Sequence, residues 1–192
     1  MAEKILALAG SLRVASFNRK LVRIAADGAR AAGAVVTEID LREIPLPLYD
    51  GDMEREQGLP PNAKLFKRIL LEHQGMLISS PEYNTAMTAV LKNALDWASR
   101  PEPGEPPHVA FRGKIGGLMS ASPGQFGGVR SLAMLRGILS YLGVIVVPTQ
   151  LAIARANDAF DEHGVLRDER QREIGRAIGS EVVSFVRKLG ST

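Results

Sequence analysis

The chain has 192 residues, a formal net charge of +3, a hydrophobic fraction of 45% and a charged fraction of 23%, values ordinary for a globular α/β domain and far from the disordered class. Its basic residues are scattered among acids instead of forming a run, which argues against a nucleic-acid partner. Cysteine is absent, so disulfides, thiolate metal sites and cysteine nucleophiles are excluded, and His73, His108 and His163 lie far apart with no second ligand at metal-site spacing, so surface histidines are expected.

Lys4 to Ala9 (KILALA) is a short apolar run closed by Gly10, and Leu21, Ile24, Ala25, Gly28, Ala29 and Ala32 then recur at helical spacing: strand, turn, helix. Val35 to Ile39 reads as a second strand, and Leu65, Phe66, Ile69 and Leu70 mark a second helix after the Pro60-Pro61 start signal. Gly75 to Ser79 is a third strand and Ala86 to Ser99 a third helix. Lys114 to Ser120, Val129 to Leu142 and Val144 to Val147 continue as strand, helix and strand. Ile174, Ala177, Ile178, Val182, Phe185 and Leu189 make the last helix. Strict alternation implies right-handed crossovers and a parallel sheet covered on both faces. Five strands suit the doubly wound order 2-1-3-4-5, with its switch point between strands one and three. One domain over residues 1–192 is expected. No apolar run approaches the roughly 18 residues of a membrane span, and Met1 to Lys4 leads into a strand without a signal-peptide pattern, so a soluble, cytoplasmic chain is expected.

Two connections are long: Leu41 to Pro61, with an acidic stretch from Asp50 to Glu56, and Pro101 to Gly113, with four prolines. Each is either a solvated surface loop or a lid or substrate wall. The helices over Ala86–Trp97 and Leu132–Leu142 carry more apolar surface than one stripe against a sheet requires, pointing to a subunit interface or to deep burial.

Chemistry is expected where turns leave the carboxyl ends of strands one, three and four. The first, Gly10 to Asn18, places Ser11, Arg13, Ser16 and Asn18 between a strand end and a helix start, where free N–H groups, hydroxyls and a guanidinium would cradle a phosphate. The plainer reading makes Ser16 an N-cap and Arg13 a solvated side chain. The turn has neither GxxxxGK[ST] nor GxGxxG, so a terminal monophosphate suits it better than a triphosphate or a pyrophosphate. The second turn, Pro81 to Asn84, is proline-led and can present backbone groups edge-on to a flat heterocycle, with Tyr83 beside it; the plainer reading is a turn with Asn84 or Thr85 as helix cap. The third, Ser120 to Gly128, has glycines at 124, 127 and 128 that permit close backbone approach or simply a flexible turn. Glu82 and Asp96 are the acids near this region, and no hydrolytic or metal apparatus assembles. That pattern suits a bound redox cofactor carrying its own chemistry.

The segments GSLRVASFN, SSPEYN, LKNALDWASRP (Leu91 to Pro101) and SASPGQFGG, taken in order, resemble the NADPH-dependent FMN reductase family, and the similarity extends over essentially the whole chain. The resemblance implies a flavodoxin-like three-layer α/β fold and non-covalently bound FMN, reduced by NADPH or NADH. It assigns Ser11, Arg13, Ser16 and Asn18 to the FMN phosphate, with Phe17 among the contacts of that turn. Pro81, Glu82, Tyr83 and Asn84 would meet the isoalloxazine and ribityl region, mainly through backbone, and Ser120, Ala121, Ser122 and Gly124 the far side of the ring. It further implies an enzyme that passes hydride to a quinone, free flavin, azo compound or oxidised metal anion, assembled as a homodimer or homotetramer. The alternative is a non-enzymatic electron carrier of flavodoxin type, which tends to need an acidic docking face that this slightly basic chain lacks.

Overall fold

The computed structural model describes residues 2–190. Five strands, β1 (Lys4–Ala9), β2 (Val35–Ile39), β3 (Gly75–Ser79), β4 (Ile115–Ala121) and β5 (Ile145–Ile153), form one parallel sheet in the order β2-β1-β3-β4-β5. Around it run α1 (Phe17–Ala31), α2 (Gly51–Gln57), α3 (Pro61–Leu71), α4 (Ala89–Ser99), α5 (Val129–Tyr141), α6 (Ala156–Ala159) and α7 (Glu169–Gly190). The expected order and switch point are observed, and the first three strands match their expected limits residue for residue. Flavodoxin-like is the right class for this sheet.

Alternation along each strand sorts the core into two layers. Ile5, Ala7 and Ala9 of β1, Leu77 of β3 and Met119 of β4 pack with α1 and α7 on one face. Leu6, Leu8, Met76, Ile78 and Leu118 pack with α3, α4 and α5 on the other. On the first face α1 and α7 cross at small residues: a Cβ at Gly28 would overlap the Arg176 carbonyl, and one at Gly179 the Ala25 carbonyl. The Ser180 hydroxyl, donating to the Gly28 carbonyl at 3.1 Å, seals the crossing.

Four elements depart from expectation, α4 by starting at Ala89 and not Ala86 because Tyr83 and Ala86 pair across a turn. α2 occupies part of the connection read as acidic loop: Asp50 caps it through Oδ1, accepting from Asp52 N–H at 2.8 Å, but none of its residues is buried, so it carries no apolar period. α6 is a single turn between β5 and α7. β5 runs to Ile153 because Pro148 sits in a bulge rather than at an end; its partner register slips between Gly116 and Leu118. The Arg136 guanidinium donates to the carbonyls of Val146 at 3.1 Å and Val147 at 2.7 Å, taking up acceptors that the bulge removes from the ladder.

Both long connections are laced down. Asn93 Nδ2 and Trp97 Nε1 each donate to the Pro47 carbonyl at 2.8 Å, and the Tyr49 ring meets Trp97 edge-on at 5.0 Å. Lys67, 2% exposed at its side chain, reaches from α3 to the Arg100 carbonyl at 2.8 Å and to the Glu105 carboxylate, fixing the second connection. No helix among the described residues is long and apolar enough to cross a membrane.

Candidate active site

Sheet order brings the turns after β1, β3 and β4 side by side at the carboxyl edge, and hydrogen bonds stitch them. Gly10 N–H donates to the Ser79 carbonyl at 2.9 Å, and Ser80 N–H to the Met119 carbonyl at 3.0 Å. Thr88 caps α4 and donates its hydroxyl to the Gly10 carbonyl at 2.7 Å, tying the second turn to the first. Asn18 is the central tie. Its Oδ1 accepts from Ala121 N–H at 2.9 Å and from the Ser79 hydroxyl at 2.8 Å, while its Nδ2 donates to the Ala121 carbonyl at 2.8 Å. One buried amide thus joins the start of α1 to the ends of β3 and β4.

The expected phosphate residues therefore divide. Ser16 accepts from Arg19 N–H at 3.3 Å and so caps its own helix while its O–H proton can still donate, and Asn18 uses its Oδ1 and one of its two Nδ2 protons in the ties just described. Ser11 is buried, its hydroxyl accepting from Arg13 N–H at 3.3 Å. Arg13 is exposed, and among the described residues no acid pairs with its guanidinium. No acid lies in the first turn of α1, where Asp40 from the end of β2 pairs with Arg19 at 2.8 Å, and Arg13 precedes that helix without an acidic partner among the described residues. Phe17 turns away to stack on Phe160, ring centroids 5.4 Å apart, with Lys20 Nζ over both rings.

In the second turn, Tyr83 and Ala86 exchange backbone hydrogen bonds of 2.9 and 3.0 Å around Asn84 and Thr85, whose φ values are 49° and 70°. Two central residues at positive φ make a type I′ hairpin turn. At Thr85 this conformation is strained, because a β-branched side chain crowds the backbone there. Neither residue caps α4; Thr88 does. Tyr83 is half exposed at the rim. The Glu82 side chain points into the protein, 6% exposed, and pairs with Arg130. Burial pushes its carboxyl up, but the Arg130 and Ser131 donors outweigh that and hold it below the usual carboxylate range.

In the third turn, Ser120 and Ala121 belong to β4 and are buried. Ser120 Oγ has no hydrogen-bond partner among the described residues, and a Cβ at Gly128 (φ 91°) would collide with it. Glycine is needed there for both angle and space. Gly124 is exposed, its flank open except for Ser122 Oγ. Arg155 N–H donates to the Gly124 carbonyl and Ala156 N–H to the Ser122 carbonyl, both at 3.1 Å, pinning this turn to the segment after β5. These ties could not be read locally in the sequence; Asn18 and Ala121 are 103 residues apart.

Asp96 is held by Lys92 at 2.7 Å. Both acids near the crevice are thus engaged, and no cluster of metal-ligating side chains occurs among the described residues. Beside the first turn, an apolar cleft of about 390 Å³ lies between Leu12, the Leu41–Leu46 segment and α4. On α5, Leu132, Leu135 and Leu139 are buried, whereas Val129, Met134 and Tyr141 are exposed. On α4 the excess apolar surface is interior: Leu91, Leu95 and Trp97 are buried.

The turns after β1, β3 and β4 thus meet at one edge of the sheet, with Arg13 exposed in the first and Glu82 and Asp96 both paired. Comparison with known proteins identifies the family. The sequence profile described as NADPH-dependent FMN reductase matches residues 3–158. An NAD(P)H-dependent FMN reductase of Pseudomonas aeruginosa is 35% identical over 187 residues, 97% of this chain and 96% of that one. An NADPH:quinone oxidoreductase of Arabidopsis thaliana is 36% identical over 191 residues, 97% of this chain and 93% of that one. Among solved structures, the flavoenzyme NAD(P)H:(acceptor) oxidoreductase FerB of Paracoccus denitrificans superimposes with a TM-score of 0.80 over 97% of this chain and 98% of that one, at 24% identity. A protein with this sheet, these three turns and this profile belongs to the NADPH-dependent FMN reductase family.

Proposed function

We propose that the chain is an NAD(P)H-dependent oxidoreductase that binds FMN in the crevice of the three turns and delivers electrons to quinones. The observation that carries this reading is the exposed Arg13 guanidinium, without an acidic partner among the described residues, just ahead of a helix whose first turn holds no acid, next to two turns whose acid, Glu82, is already paired. A flavin monophosphate fits that donor set: one charged end for Arg13, the α1 amides and the Ser11 turn, and one planar end for the residues from Pro81 to Asn84 and from Ala121 to Gly124. Ser16 and Asn18 would serve it by holding the turn in shape, and Ser120 by leaving room beneath Gly128. When bound, FMN supplies the two-electron chemistry, accepting hydride from NAD(P)H and passing it on.

The protein's own part is to bind, orient and shield. Asn18 and Thr88 fix the spacing of the turns, and the strained Asn84-Thr85 hairpin holds the rim in one conformation. The similarity to quinone oxidoreductases favours quinones over free flavin, azo compounds and metal anions as acceptors. The reading includes a cytoplasmic setting, where reduced nicotinamide is available, and self-association through the outward apolar face of α5 at Val129, Met134 and Tyr141.

Donor and acceptor would use one pocket in turn. Steady-state rates measured over a grid of NADPH and benzoquinone concentrations should give parallel double-reciprocal lines. Intersecting lines, which require donor and acceptor to be bound together, would contradict the shared pocket. A flavin-loaded protein that NADPH cannot reduce would favour an electron carrier instead.

A further inference from the structure

Helix α5 starts without a cap of its own. Its N-cap is Gly128, in the left-handed region, with no side chain to accept from the first-turn amides, and such amides must find partners elsewhere. They find one carboxylate, from the turn after a different strand. Glu82 Oε2 accepts from Arg130 N–H at 3.1 Å and Ser131 N–H at 3.2 Å, and Oε1 accepts from Arg130 Nε at 2.7 Å. The brace continues outward, since the Arg130 guanidinium lies 5.1 Å from the centre of the Phe126 ring, itself 55% exposed in the third turn. A carboxylate this buried pays a desolvation cost that only a complete set of donors offsets, and here two amides and a guanidinium provide it. The segment it steadies carries Gly124, Gly127 and Gly128, the last two at positive φ, and is otherwise held through backbone hydrogen bonds of Ser122 and Gly124 to the segment after β5.

We propose that Glu82 is a positioning residue: its carboxylate caps α5 across the crevice and, through Arg130 and Phe126, sets the separation of the two turns that flank the flavin ring. This rests on the flavin reading above but assigns the Glu82 side chain a role apart from the backbone contacts expected of that turn. The brace acts on the ring and not on the phosphate, because Arg13 and the α1 amides belong to a different turn with ties of its own. Losing it should therefore weaken FMN and riboflavin by the same factor, leaving their ratio, which reports the phosphate contacts, unchanged.

The test uses the whole protein in three forms, wild type, Glu82→Ala and Glu82→Gln, with FMN and riboflavin affinities read from flavin fluorescence quenching. Amide hydrogen exchange of residues 123–131 is followed in the flavin-free protein. For Glu82→Ala we expect both flavins to bind about 10-fold more weakly, with faster exchange at Arg130 and Ser131. Glu82→Gln keeps an oxygen for the helix amides and should lose only about 2- to 3-fold, as expected when charge is removed but the cap is kept. A general loss of stability would lower both affinities by one common factor as well, so each affinity is read under conditions where urea unfolding shows that variant fully folded, and a weakening that persists there belongs to the brace. Affinities within 2-fold of wild type in Glu82→Ala, with exchange accelerated, would overturn the positioning role while leaving the flavin reading intact. Wild-type protein that binds neither flavin would overturn both.

Discussion

Arg13 and Asn18 stand five residues apart in one turn and do different work. Arg13 has an unpaired charge among the described residues, so removing it costs the fold little and the ligand much. Arg13→Ala should lower FMN affinity about 10-fold or more, the loss of a charge-assisted contact of about 1.5–3 kcal/mol, with the melting temperature unchanged; isothermal titration alongside thermal melting checks both. Asn18→Leu should do the reverse, destabilising the flavin-free protein by at least about 3 kcal/mol in urea unfolding, because it strands the Ala121 backbone groups and the Ser79 hydroxyl in a buried site. Local sequence could mark both residues as site candidates by their place at a helix start. It could not distinguish them, since the difference lies in a partner 103 positions away. Lys114 offers a test by pH. Burial pushes its ammonium down to about 8 from an ordinary 10.5, and its Nζ reaches only the His73 carbonyl. The unfolded chain therefore keeps a proton that the folded chain gives up between about pH 8 and 10.5, so stability should rise with pH across that window. Denaturant unfolding of wild type and Lys114→Met should show wild type gaining on the variant from pH 7 to 10; a constant difference would mean that Lys114 does not titrate there.

β1 and β3 have the expected limits because buried parallel strands between two helical layers read as short apolar runs, whereas the edge strand β2, with no buried residue, is marked by its β-branched Val, Thr and Ile. α2 escaped because its sequence, GDMEREQ, has no buried face, and β5 continues past Val147 to Ile153 through the bulge at Pro148, which leaves no periodic trace. The crossing of α1 and α7 looked like unremarkable helix periodicity, yet it depends on Gly28 and Gly179, where the two backbones approach closely. Gly179→Ala should force the helices apart and destabilise the protein by about 1–3 kcal/mol, the usual range for overpacking, whereas Gly137→Ala on exposed α5, with open space around it, should be neutral or stabilising. Equal melting temperatures for the two variants would contradict the crossing.

At the scale of the molecule, the fold does one thing for the site: it places three turns from adjacent strands at one edge and ties them through Asn18, Ser79 and Thr88. Class and location were readable because strand order follows from the alternation of elements and the turns fall at the carboxyl ends. The ties were not, because hydrogen bonds between distant segments leave no periodic trace. The apolar face of α5 leads to a further expectation: Met134→Glu should shift the chain toward monomer in analytical ultracentrifugation, and an unchanged sedimentation profile would place any self-association elsewhere. The most direct test of the whole account is the visible spectrum of the FMN-loaded protein, recorded without oxygen before and after NADPH and again after benzoquinone. The account predicts that the yellow band bleaches with NADPH and returns with the quinone. A band that NADPH leaves untouched, or a protein that retains no flavin, would contradict it.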